Sequence, residues 1–554
     1  MSRISVERAP APKESNRKEP LPTADCYPIT AAPGLSRLFL DYCAGDDSAR
    51  RLYGHDGGLD WRGRPSLPSH WQEMVALLSE QNPSSSAFAA LESLRQGAGV
   101  VVTGQQVGLF GGPLFTPFKA ATAIARARQA TADGCPHAAI FWLASEDHDF
   151  AEINHVTFPA RRELRELVYP AESSSARPVG PIVLDESIGP LIDQAWELLG
   201  SSDAMDALAE SYKPGRTFAQ AFADFYGKIF AAQGLLVLDA SGRDFHRMGA
   251  PVLRAALDRA DEFHSALVER NRELEGAGYH AQVAVAPQSS LLFLIDANTH
   301  ARMALKRQAP SASEPLGLWQ AGRQKYSIDE LLGILDIEPE RISPSALLRP
   351  VFQDLLLSTS LTIGGPAEVA YFAQSAVLFE RILGRMTPLQ PRFSATLIEP
   401  AIGELLRKHE LTPERVFSET QGSLAQVLAA RAIPVDGKRK LANAGNALDG
   451  ELEVLLGWMR SLDDGLGRSA ETAASKMRYQ MNRLRRLAAN FQLQREASLA
   501  RHAETISQAL YPEGGLQERL HGAAYYFARY GFDLAEELVE RAAKLCPGHT
   551  ILWL

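Results

Sequence analysis

The residues most able to do chemistry fall in three short clusters. The first is Ser145-Glu146-Asp147-His148-Asp149, three carboxylates around one imidazole, directly after the apolar run Ile140-Phe141-Trp142-Leu143-Ala144. Crowded carboxylates raise one another's pKa, and an adjacent carboxylate raises that of histidine. Such a group can orient an ammonium, hold Mg²⁺ or move a proton. Successive residues point in different directions, so His148 with Asp147 or Asp149 is the expected working subset, with Glu146 beside it. The competing reading is an acidic helix N-terminus. His155, seven residues on, reads as structural. The second cluster runs from Thr103, Gly104, Gln105 and Gln106 through Gly108 to Gly112, with Lys119 on the helix beyond. Glycines after a strand let the backbone approach a ligand, and free N–H groups at a helix start favour an anion. The expected ligand is a phosphate or carboxylate; the alternative is a tight turn that needs glycine for packing. The loop is neither a Walker A sequence nor G-x-G-x-x-G. The third cluster, Gly364-Gly365-Pro366-Ala367-Glu368-Val369-Ala370-Tyr371, opens another helix, with Pro366 suited to its first turn. Glu368 and Tyr371, three apart, share one face. No G-x-S-x-G, H-E-x-x-H or ligand-spaced Cys/His group occurs, so neither a nucleophile nor a protein-held metal is expected.

The elements that must carry these clusters follow from the pattern. A strand over Gly99–Gly104, a helix over 117–132 and a strand over 140–144 make a βαβ unit, the signature of a parallel, doubly wound sheet. Further strands are expected at 234–239 and 290–296, each ending in an Asp at the carboxyl edge where such sheets bind ligands. Trp71, Met74, Val75 and Leu78 have the spacing of one helix face. From about residue 401 helix formers dominate. Met477, Met481, Leu484, Ala488 and Phe491 step as a heptad seam. Leu452, Leu455, Leu456, Met459 and Leu462 form a candidate antiparallel mate, with a loop at Gly465 and Gly467. The arm should stop near Tyr511–Gly515. The fold class is therefore α/β: a Rossmann-like parallel-sheet core with inserted subdomains and a C-terminal helical coiled coil. The expected division is a disordered tail over 1–24, a core over 25–400 with insertions near 156–230 and 297–345, a coiled-coil arm over 401–512, and helices docking on the core over 513–554.

The chain has 554 residues, 57 Lys+Arg against 66 Asp+Glu, and a net charge of -9. That balance argues against a dedicated nucleic-acid binder. Residues 468–510 reverse it locally, with eight Lys or Arg against three Glu. This is either the solvated face of a coiled coil or a surface for RNA or another anion. Four cysteines, Cys26, Cys43, Cys135 and Cys546, show no framework spacing and are expected as reduced thiols. No apolar run approaches the ~20 residues that span a bilayer, and the first 24 residues read as a solvated tail, not a signal peptide. A cytoplasmic protein with no membrane partner is expected.

Together the segments Val101–Phe115, Phe141–Phe150 and Ile363–Tyr371, supported by Leu348-Arg349-Pro350 and Pro391–Glu399, resemble the bacillithiol biosynthesis cysteine-adding enzymes, a cysteine ligase family. The resemblance runs from about residue 25 to the end. It implies an amide-forming ligase that joins the carboxyl of L-cysteine to the amine of glucosaminyl-malate, with ATP and Mg²⁺ expected for activation and small molecules as partners. It also implies a Rossmann-like core with connecting insertions and a coiled coil that makes a homodimer. By residue type, the Gln105-Gln106 loop would hold a phosphate or the malate carboxylates and Lys119 would add charge. His148, tuned by Asp147 or Asp149, would deprotonate the amine. Glu146 or Glu368 would bind the ammonium of cysteine. The rival readings are an RNA-binding or scaffold protein using the basic arm, and a nucleotidyltransferase or ligase acting on another amine.

Overall fold

The structure, a computed structural model, describes residues 25–554 except 33, 55–58, 161–162, 171–175, 309–317 and 420–422; the expected 1–24 tail lies outside the described residues. At the centre is a five-stranded parallel sheet in the order Leu389–Pro391, Leu361–Gly364, Gly99–Gln105, His137–Leu143, Leu236–Leu238. Its strands are apolar on both faces, as a sheet covered twice requires. Val101, Phe141 and Leu143 pack on one core with the helix Phe115–Ala132. Val100, Val102, Ile140 and Trp142 pack on the other with the helices Arg243–Asp258 and Pro366–Leu383. The strand order reverses between Gly99–Gln105 and Leu361–Gly364. Helices leaving those two strands depart to opposite faces, which opens a crevice at their carboxyl ends. The expected helix at Trp71–Gln81 forms, with Trp71, Met74, Val75 and Leu78 buried.

Two strand expectations are corrected. The run at 290–296 is a strand, Ser289–Ile295, but it belongs to a separate antiparallel sheet with Gln324–Tyr326, Trp319–Ala321, Arg302–Arg307 and Ile342–Pro344. Asp296 therefore does not sit at the core's ligand edge; its carboxylate accepts the N–H groups of Asn298 and Thr299 and closes a turn. The position beside Gly99–Gln105 is taken instead by Leu361–Gly364. The C-terminal segment is also not wholly helical. After helices at Ala523–Tyr530 and Asp533–Ala543, a strand His549–Trp553 inserts between Asp25–Tyr27 and Ala395–Ile398. This pairing joins the two ends of the described chain and brings Cys26 to Cys546, which form a disulfide. Of the four cysteines only Cys43 and Cys135 are free, which corrects the expectation of four thiols. Burial pushes the Cys43 thiol up to about 12.

The C-terminal helices are fastened to the core by directed bonds. The Glu399 carboxylate accepts from the hydroxyls of Tyr525 and Tyr530 and pairs with Arg529. The N–H of Ala523 donates to the carbonyl of Gly112. In the arm, Val435–Leu462 folds back on Asp464–Arg495 within the chain. The reversal takes one residue, Asp463, whose carboxylate accepts the Leu466 N–H. Gly465 and Gly467 lie inside the second helix, not in a loop; a Cβ on Gly467 would meet Arg460 Cγ at 2.6 Å, so this glycine lets the two helices approach. The buried seam is Leu452, Leu456, Ala474 and Met481. Met477, Leu484 and Phe491, expected in the seam, are 52, 54 and 60% exposed. Among the described residues no helix is long and apolar enough to cross a membrane.

Candidate active site

The crevice at the strand reversal encloses about 300 Å³. The end of the strand Gly99–Gln105 supplies one wall, and the start of the helix Pro366–Leu383 supplies the opposite one. Lys119, Arg349, Arg392 and Arg519 line it, as do Asp147, Glu152 and Glu368.

Lys119 is the hinge between the glycine loop and the second helix. Its ammonium donates to the Gly104 carbonyl and to Gln105 Oε1, both at 2.8 Å, and pairs with Glu368. Burial pushes the lysine down, with the Glu368 carboxylate opposing. The same Glu368 oxygen accepts the Gly365 N–H at 2.7 Å, one half of a capping arrangement. Arg392 is held by Glu518, a buried pair with oxygens at 2.6 and 3.1 Å. Burial pushes Glu518 up, but Arg392 outweighs it and the carboxyl stays below its ordinary range. Arg392 Nε has no hydrogen-bond partner among the described residues. A Cβ on Gly365 would lie 3.3 Å from Glu368 Oε2, 3.6 Å from that nitrogen and 3.7 Å from Lys119 Cε. Glycine therefore keeps open the space onto which both cations and the Glu368 carboxylate border.

Arg349 differs from these two. Its guanidinium donates to the Tyr371 hydroxyl at 2.7 Å and to Gln353 Oε1 at 3.2 Å. Burial pushes the Tyr371 phenol up to about 12, so it stays neutral. Among the described residues Arg349 has no ion pair. Its hydrogen-bond partners are both neutral, and the carboxylates of Glu368 and Asp147 act on it only from beyond ion-pair distance, so the guanidinium still lacks a directly bonded anion.

The acidic loop divides by alternation. Asp147 turns into the crevice, where Gln106 Nε2 donates to it at 2.7 Å and to Glu152 at 2.9 Å. Glu146 turns the other way and lies 3.1 Å from Nε2 of the buried His246. Burial pushes His246 down, but the Glu146 carboxylate and the bond to the Ile342 carbonyl more than offset it, and its pKa is raised. The Glu146 carboxylate is thus already occupied by a buried imidazole. His148 also turns away from Asp147: its Nδ1 is 3.1 Å from an Arg302 nitrogen and 3.8 Å from Asp147 Oδ1. Asp149 caps the short helix Phe150–Ile153 by accepting the Glu152 N–H.

The crevice thus brings together Gly104, Gln105, Gln106, Lys119, Asp147, Gly365, Glu368 and Tyr371 of the expected set. Thr103, Gly108, Gly112 and Gly364 stand behind it. The Thr103 hydroxyl donates to the Ile363 carbonyl and ties the two strands at the reversal. The Gly108 carbonyl accepts from Tyr212, and the Gly364 carbonyl from the Arg392 N–H. Gly112 adopts φ +68°, which favours glycine. His155 bonds the Ala151 carbonyl and is structural. Sequence reasoning missed Arg349, Arg392, Glu152 and Arg519 as lining residues, and His246 and Arg302 behind the acidic loop. The first two stand in Leu348-Arg349-Pro350 and Pro391-Arg392-Phe393, segments that carried the family resemblance without a role. Among the described residues no group of three or more His, Cys, Asp or Glu could hold a metal ion.

Fold and site define a doubly wound α/β protein with a crevice lined by both cations and carboxylates at its topological switch point. Residues 23–393 match the family described as "Bacillithiol biosynthesis BshC, N-terminal Rossmann-like domain", and residues 395–554 match its "C-terminal coiled-coil domain". The chain is 42% identical over 540 residues to the "Putative cysteine ligase BshC" of Koribacter versatilis, covering 95% of this chain and 99% of that one. It is 33% identical to the protein of the same name from Solibacter usitatus, over 95% and 99% of the two chains. The chain belongs to the BshC family of bacillithiol biosynthesis, whose members are named as cysteine ligases.

Proposed function

We propose that this protein joins the carboxyl of L-cysteine to the amine of glucosaminyl-malate, with ATP as the activator. The observation that carries the reading is Arg349, a guanidinium on the crevice wall whose hydrogen-bond partners are neutral and which has no ion pair among the described residues. Arg392 Nε and the start of the helix Pro366–Leu383 border the same space. These groups fit a malate carboxylate or a phosphate. On the facing wall, Asp147 and Glu152 fit a substrate ammonium and are placed to accept its proton. Glu368 and Glu146 are already paired with Lys119 and His246, so Asp147 takes the ammonium-binding role in this scheme.

The lining fits a nucleotide phosphate as it fits a carboxylate. ATP supplies the activation that a free carboxylate lacks, and Mg²⁺ arrives on its phosphates, since the described residues offer no cluster of metal ligands. Cysteine and ATP are cytoplasmic reactants, and the proposed site of action is the cytoplasm. The outward stripe of Leu455, Trp458, Leu462, Met477, Leu484 and Phe491 is large and apolar for a solvated arm. We assign it to a second copy of this chain, giving a homodimer.

The test is reconstitution of the purified protein with glucosaminyl-malate, cysteine and ATP. Bacillithiol should form together with AMP or ADP. A deletion strain with unchanged bacillithiol overturns the reading.

A further inference from the structure

The inserted antiparallel sheet reaches the acidic loop through one side chain, Arg302. We infer that Arg302 is a positioning residue that fixes the His148 imidazole with its lone pair on Nδ1 and its proton on Nε2, so that His148 is not a general base at Nε2. The base role denied to His148 belongs to the ligase reading; the tautomer does not rest on it.

Arg302 is buried and immobilised on three sides. Its Nε donates to the Ser343 hydroxyl at 2.8 Å, and one terminal nitrogen donates to the Pro344 carbonyl at 2.8 Å. The guanidinium carbon sits 3.7 Å from the centroid of the Phe293 ring, a cation–π contact. The remaining nitrogen lies 3.1 Å from His148 Nδ1. A guanidinium has five donors, no acceptor, and keeps its proton in proteins. The short contact is therefore a hydrogen bond only if Nδ1 offers a lone pair, which leaves the single imidazole proton on Nε2.

The other charged groups facing this pair do not compete. Asp147 Oδ1 stands 3.8 Å from Nδ1, beyond hydrogen-bond range, and accepts the backbone N–H of His148 instead. Glu146 lies against His246, and Asp149 caps its own helix. The His148 ring also packs on Phe293, at 5.6 Å between centroids, so Phe293 holds both partners. His148 is about one-third exposed, which leaves Nε2 open to an incoming group. A base at Nε2 would need the proton on Nδ1, which the guanidinium forbids. Without Arg302, Nδ1–H could turn toward Asp147, and Nε2 would become the basic nitrogen.

The experiment is nitrogen NMR of the full-length protein with ¹⁵N-labelled histidine, with His148→Gln assigning the signals. The wild type should show a lone-pair nitrogen at Nδ1 and a protonated Nε2 near neutral pH. Arg302→Lys, which keeps a donor, should retain that pattern. Arg302→Met should invert it or mix the two tautomers. A wild-type His148 protonated on Nδ1, or a tautomer untouched by Arg302→Met, overturns the inference. Should Arg302→Met fail to fold, the wild-type tautomer and the lysine variant still decide. A kinetic arm tests the base: glutamine takes up no proton, so His148→Gln should lower kcat for ligation by less than about tenfold, against the roughly 10²- to 10⁴-fold that loss of a general base costs. A loss in that larger range overturns the inference. Absence of ligase activity in the wild type would instead sink the reaction and leave the tautomer result standing.

Discussion

The crevice and the helical arm both concentrate positive charge, in opposite surroundings. In the crevice Lys119 and Arg392 are 5 and 4% exposed along their side chains, and each faces one buried or half-buried carboxylate. Arg349 beside them bonds only neutral groups. In the arm Arg483, Arg485, Arg486 and Arg495 stand in solvent, and Arg460 and Arg478 make exposed pairs with Glu471 and Asp449. A charge in water is screened and costs little to keep. A charge on the wall of a partly dry cavity has lost hydration and recovers it only from a ligand or a partner. Local density of Lys and Arg therefore points to the arm, whereas the capacity to bind an anion resides where the cations are few and enclosed.

The largest way to break this contrast is to remove one member of the buried pair. Glu518→Ala should destabilise the protein by about 3–5 kcal/mol, because Arg392 is left charged and unpaired in the core; denaturant titration reads it. Next comes the junction between the regions. His521 bonds Tyr526 on one side and the Gln508 carbonyl of the helix Ala497–Leu510 on the other, and burial pushes its pKa down to about 4. The folded form thus resists protonation that the unfolded chain accepts at its ordinary 6.5. Stability should fall as pH drops from about 6.5 to 4, by about 3 kcal/mol in total. His521→Gln should flatten that slope in pH-dependent melts; an unchanged slope would refute the assignment.

Arg349→Met should lower kcat/KM for ligation by about 10- to 100-fold, from loss of a charged hydrogen bond to substrate, while the melting temperature changes little. A loss of stability without a loss of substrate affinity would make Arg349 structural. Within the arm, Leu452→Ala should cost about 2–4 kcal/mol locally by opening the intrachain seam, whereas Met477→Glu should leave the helices folded and shift sedimentation toward the monomer. The smallest effect belongs to the arm's charges: Arg483→Glu and Arg486→Glu should each stay within about 0.5 kcal/mol and leave turnover intact.

Much of the fold is readable along the chain, for a local reason. Val100-Val101-Val102 and Ile140-Phe141-Trp142 are apolar runs bounded by glycine or charge, and both became central strands. The run Leu291–Ile295 has the same texture and became a strand of a different sheet, because period and hydrophobicity do not say which edge a strand will meet. Leu361–Gly364 is only four residues long and reads as the lead-in to a helix, yet it is the strand beside Gly99–Gln105 at the reversal that opens the crevice. In the arm the heptad step of Met477, Leu484 and Phe491 is real, but its intrachain mate covers the neighbouring stripe. The site divides likewise. Gln105, Gln106, Lys119, Asp147 and Glu368 were legible because polar groups cluster after apolar strands. Glu146 and His148 were legible as candidates, and only the alternation of the loop shows that they face away from Asp147.

By itself the sequence determined the βαβ unit, the glycine-rich loop, the acidic loop and the amphipathic helices of the arm, since each is a local pattern of residues. Tertiary structure decided what those pieces meet. It set Arg349 and Arg392, about 245–290 residues from the glycine loop, across the crevice from Gln106, put Arg302 against His148, and joined Cys26 to Cys546. Such contacts depend on the order of strands and the packing of both sheet faces, which no local pattern of residues encodes.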